Sequence, residues 1–115
     1  MNESILTSIK KLLGIEEEYT PFDPDIIMHI NSVFFILTQI GVGPSTGFTI
    51  SDKTAVWTDF ITEITKIEAV KTYVYLKVRL AFDPPINSAV LESINKMINE
   101  YEWRLNVAVD TTTTS

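Results

Sequence analysis

Apolar residues recur along this chain mainly at helical spacing. Positions 5, 6, 9, 12 and 13 make one face of a short amphipathic segment, with Ser4 placed to cap its start and Gly14 to end it in a left-handed turn. After the acidic connector EEEYTPFDPD, Asp23 followed by Pro24 predicts a second helix, with a carboxylate acceptor at the N-cap and a proline where no amide donor is needed. That helix, from about Pro24 to Ile40, is apolar almost all round, which predicts a place at the centre of a bundle. The segment GVGPSTGFTIS predicts an ordered loop around residues 41–51, with a short extended piece at Phe48 to Ile50. A third helix, capped by Ser51 or Asp52, carries Val56, Trp57, Phe60, Ile61 and Ile64 on one face and ends or kinks around Thr65 and Lys66.

The stretch VKTYVYLKVRLAFDPP reads two ways. As a strand it shows Val74, Leu76, Val78, Leu80 and Phe82 on one face, but the chain supplies no clear partner strands. As a helix from about Ile67 to Phe82 it has a narrow polar stripe of Glu68, Thr72 and Arg79, and Pro84 with Pro85 ends it. Context selects the helix. The last helix is capped by Asn87 or Ser88 and carries a stripe of Val90, Leu91, Ile94, Met97, Ile98, Tyr101, Leu105 and Ala108. Opposite the stripe, Glu92 with Lys96 and Glu100 with Arg104 stand at i, i+4, each pair worth a few tenths of a kcal/mol. No internal repeat is visible. The pattern predicts an all-α bundle of four to five helices in one domain, residues 1–109, with a flexible C-terminal tail over 110–115.

Composition narrows the class. The chain has 115 residues, 45% hydrophobic and 21% charged, so it is sized for a single core. A formal charge of −6 and a pI near 4.6 argue against a dedicated nucleic-acid binder, which needs a basic surface. The absence of cysteine removes disulfides, thiolate metal sites and a cysteine nucleophile. The N-terminal residues lack the basic start and unbroken apolar run of a signal peptide, which favours a cytoplasmic protein. Ile26 to Ile50 has no Asp, Glu, Lys or Arg, yet its helical part is too short to span a bilayer.

Candidate chemistry is sparse. The single histidine, His29, lies among apolar residues with no serine or carboxylate set beside it by local spacing, and reads as structural. Glu16, Glu17, Glu18, Asp23 and Asp25 miss the calcium-loop pattern, and GVGPSTG lacks the P-loop spacing and follows a helix. Lys66, Lys71, Lys77 and Arg79, interleaved with Tyr73 and Tyr75, suit a nucleic-acid surface in composition but scatter around a helical axis. No catalytic, cofactor or metal residue is assigned, and the chain reads as a non-enzyme.

Two surface anomalies remain. Lys77 falls inside the apolar arc of its helix, between Tyr73 and Ala81, and Trp103 sits on an otherwise polar face near Glu92, Lys96 and Asn99. Either a partner completes these surfaces, or Lys77 snorkels to solvent and the first helix or the loop covers Trp103. The candidate subunit or partner interface is Lys77, Arg79, Tyr73, Tyr75, Trp103 and Lys96.

In order along the chain, GVGPSTGF, DKTAVWTDF, VKTYVYLKVRLAFDPP and EYEWRLNV resemble the head-tail connector, or adaptor, family of long-tailed bacteriophages and prophages of Gram-positive bacteria. The resemblance covers about residues 5 to 108. It implies a mostly helical subunit, assembled in the host cytoplasm, that forms a homo-oligomeric ring beneath the portal protein in the virion neck. Such a ring extends the channel for transient passage of phage DNA and docks a head-closure or tail-completion protein, with no cofactor, membrane or turnover. An acidic subunit suits a conduit, because a strongly basic lumen would retain DNA. The alternative is a small regulatory protein-interaction or DNA-binding helical module using the basic residues between 66 and 79. An enzyme built on His29 is a third reading.

Overall fold

The computed structural model describes the backbone of residues 3–114 and the side chains of residues 3–107. Its first helix, α1 (Ile5–Leu13), has the expected ends. Ser4 Oγ accepts from the Thr7 amide at 3.2 Å, and Gly14 takes φ 82° so that its own amide reaches back to Lys11 O. Ile5, Leu6 and Ile9 are buried, whereas Leu12 is exposed.

Helix α2 (Asp23–Gln39) starts one residue earlier than the Asp-Pro signal indicates, with Phe22 at its N-cap. Asp23 therefore does not cap. Its Oδ1 instead lies 2.8 Å from Lys10 Nζ, whose side chain is only 2% exposed. The same ammonium donates to the carbonyls of Glu17 at 2.9 Å and Tyr19 at 2.7 Å. A lone buried ammonium costs several kcal/mol, so these oxygens are a condition of its burial. They tie the connector to α1 and set where α2 begins. Beyond it, Tyr19 stacks edge-on to Phe22, and Phe22 edge-on to Phe82.

The expected third helix is a single turn, α3 (Trp57–Phe60). Neither Ser51 nor Asp52 caps it. Asp52 turns the chain by accepting from the hydroxyl and then the amide of Thr54, which hold its carboxyl below the usual range. Residues 55 and 56 are drawn out beside the N-terminal segment, where Ile5 N donates to Ala55 O at 3.0 Å and Ser4 forms an isolated antiparallel bridge with Val56. Ile61 is extended after the turn, so the break falls before the expected kink at Thr65. Trp57 is buried, its indole donating to Ser8 Oγ at 2.8 Å. Around it, Phe34 contacts the rings of Phe48, Trp57 and Phe60. Gly43, at φ 85°, lies so close to Phe60 that a Cβ would overlap the ring. Phe48 to Ile50 forms no strand; the Asn31 amide both donates to Ile50 O (2.9 Å) and accepts from its N–H (2.8 Å).

The ambiguous stretch is helical, within α4 (Ile64–Phe82). Asp83 leaves helical geometry ahead of Pro84, as the proline pair requires. Ile67, Val70, Tyr73, Val74, Leu76 and Val78 are buried, and α4 packs against α1, α2 and α5. This corrects the expectation that α2 is central: α4 holds that place, and α2 presents a face to solvent.

Helix α5 (Ser88–Thr114) begins at Asn87, whose Oδ1 accepts from Ala89 N at 2.8 Å. It packs mainly on α4, so its stripe is only partly covered: Ile94, Ile98 and Leu105 are buried, Val90 and Met97 exposed. Ala108 lies outside the described side chains. The Glu100–Arg104 pair forms at 2.7 Å, whereas Glu92 and Lys96 do not meet. Among the described residues the chain is all-α with five helices, as the pattern predicts.

Lys10→Met should cost about 3 kcal/mol in urea unfolding, because it strands Asp23 and two carbonyls. Lys11→Met, next to it but exposed, should change stability by less than about 0.5 kcal/mol. Helical backbone continues through the threonine run, whose propensity is poor. Deleting residues 110–115 is therefore expected to move the melting temperature by no more than about 1 °C in circular dichroism.

Candidate functional site

The six residues singled out from the sequence do not converge on one patch. Tyr73 is fully buried in the core, where its hydroxyl donates to Glu102 Oε2 at 2.6 Å and so fastens α4 to α5. It offers no surface in this subunit. Burial, and then the hydrogen bond to the Glu102 carboxylate, push the phenol well above its ordinary pKa.

Tyr75 and Arg79 stand one turn apart on α4 and line a groove against α5, opposite Val90, Ile94 and Met97. Arg79 Nη1 donates to the Tyr75 hydroxyl at 3.1 Å, while its Nε is buried with no acceptor. The floor of this groove is apolar, and its one charge is only partly compensated.

Lys77 lies in a second groove, between α2 and α4, lined also by His29, Ser32, Val33, Ile36 and Leu80. The side chain is half-buried, and among the described residues its ammonium has no ion pair. His29 is likewise half-buried beside it, and among the described residues no carboxylate or hydroxyl is hydrogen-bonded to its ring. Among the described residues no three His, Asp or Glu side chains are placed to hold a metal ion.

Trp103 is 66% exposed on the outer face of α5, and neither α1 nor the 41–51 loop covers it. Lys96, two turns earlier on that face, is also exposed. The other basic residues near α4 are engaged separately: Lys66 meets Glu63 at 3.4 Å and Lys71 meets Glu3 at 2.9 Å. No basic stripe results, which removes the geometric support for phosphate contact by residues 66–79.

Sequence reasoning passed over the solvent face of α2. Phe35 is 64% exposed and Met28 57%, on a shallow surface with Ile27, Asn31, Ser32 and Ile36. A signal for it existed. Ser32 and Gln39 fall on the same side of the helix as Met28 and Phe35, marking that side as outward despite its apolar content.

A small helical subunit with exposed aromatic and aliphatic side chains on two helices has the surface of an assembly component. The chain belongs to the phage connector protein family, with a match that runs from residue 5 to residue 112. Its role is thus structural, within the phage particle. No curated protein and no solved structure shows a significant similarity to it. Among the described residues no helix is long and apolar enough to cross a membrane.

Tyr73→Phe should lower stability by about 1–2 kcal/mol at neutral pH through loss of a charge-assisted hydrogen bond. The raised phenol pKa makes this contribution fully present below about pH 10, the unfolded value, and lost as pH climbs through the folded one. Urea titrations above about pH 10 should accordingly show the wild type losing stability more steeply than Tyr73→Phe.

Proposed function

We propose that this chain is the head-tail connector subunit that assembles as a homo-oligomeric ring beneath the portal protein, in the neck of the virion. There it extends the channel through which phage DNA passes and provides the docking surface for the head-closure or tail-completion protein. The observation that carries this reading is family membership over residues 5–112, which takes in α1 to α4 whole and nearly all of α5. The exposed Met28, Phe35 and Trp103 support it, because a subunit destined for a ring keeps apolar surface that only its neighbours cover. Charge supports it too: a net −6 subunit repels the DNA backbone and lets the genome slide.

Mixing the protein with its portal and imaging the product by electron microscopy should show a ring stacked on the portal. Absence of association would sink the proposal. In the same assay Trp103→Ala should reduce ring occupancy by about tenfold, the loss typical of an aromatic anchor, with an unchanged melting temperature. A parallel loss of fold stability would mean core damage instead.

A further inference from the structure

The two exposed apolar surfaces lie on different helices and carry opposite unpaired charges. On one side, the outer face of α2 is continuous with the α2–α4 groove, since Ser32 and Ile36 line both. From Ile26 to Ile50 the chain has no Asp, Glu, Lys or Arg, so beside His29 it is Lys77 that supplies the ammonium charge of this groove. On the other side, the outer face of α5 presents Trp103 and Val107 one turn apart, with Glu92 on the same side of the helix about 16 Å away along the axis. Glu92 lacks the Lys96 partner that its spacing invites and makes no other ion pair among the described residues.

We propose that neighbouring copies meet through these two unlike surfaces. The α2–α4 face of one copy, with Met28, Phe35 and Lys77, seats the α5 face of the next, with Glu92, Trp103 and Val107, and Lys77 pairs with Glu92 across the contact. Each copy then uses both surfaces once. That is the condition for a head-to-tail contact that closes into a ring, whereas like-on-like pairing stops at a dimer. The pairing also removes the anomaly at Lys77: a neighbour's carboxylate compensates an ammonium set among apolar side chains. This inference rests on the ring reading above.

Charge exchange tests it on the portal. Lys77→Glu and Glu92→Lys, each checked for an unchanged melting temperature, should lower ring occupancy by about tenfold, and the double variant should recover to within about twofold of wild type. Single variants that assemble normally, or a double variant that fails to recover, would overturn the pairing while wild-type rings leave the ring reading standing. A second measurement uses the absence of cysteine. Ser32→Cys and Asn99→Cys copies, mixed and treated with a short bis-maleimide, should give the mixed crosslink. Crosslinks of either variant only to itself would mean like-on-like contact and overturn the proposal. Wild-type rings with no crosslink at all would do the same, and failure of the wild type to form any ring would overturn both readings.

Discussion

The ammonium of Lys10 is the contact on which the arrangement of the N-terminal half depends. It is buried beside the carbonyls of Glu17 and Tyr19 and the carboxylate of Asp23, and so gathers α1, the acidic connector and the first residue of α2 around one charge. Asp23 Oδ1 makes no aligned hydrogen bond there, so its compensation is the charge itself at 2.8 Å. A chain that buries an ammonium must supply those oxygens together, because each left out would strand a charge or a carbonyl in a dry site. The connector is thereby held although almost every one of its side chains faces water. Its anchoring brings Phe22 onto Phe82 and aims α2 along α4.

From that constraint follows the division between core and open surface. α4 is the element that α1, α2 and α5 share, and its broad apolar arc is consumed in doing so. α2 and α5 each spend one side on α4 and keep the other. The exposed apolar surplus therefore sits on the outer helices α2 and α5 rather than on the central α4. Family membership and the distribution of exposed side chains point in the same direction, toward contacts with other components of the phage particle.

Local features were legible wherever local chemistry decides. Ser4, Gly14, Asn87 and the Pro84–Pro85 pair mark helix ends by hydrogen bonding and backbone sterics that act within a few residues. VKTYVYLKVRLAFDPP could be assigned to a helix because its neighbours offered no strands to pair with. α3 was misjudged since its apolar spacing is helical, yet the backbone at 55–57 pairs with the N-terminal segment some fifty residues away. Lys10 read as an ordinary helix lysine, because nothing near it in sequence shows the carbonyls that fold back over it. Tyr73 was assigned to a surface for the same reason: its partner, Glu102, lies on another helix.

The sequence by itself determined that this is a helical, non-basic, cysteine-free chain with a recognisable family pattern, since composition, periodicity and end signals are properties of short windows. Only the tertiary structure decided which apolar helix became the centre, which charges found partners, and which side chains stayed outside. Burial is a relation between segments distant along the chain: Trp57 and Trp103 belong to the same residue type, and one closes the core while the other faces solvent. The difference between them is whether another helix happens to lie opposite. A sequence states that only through the fold it produces.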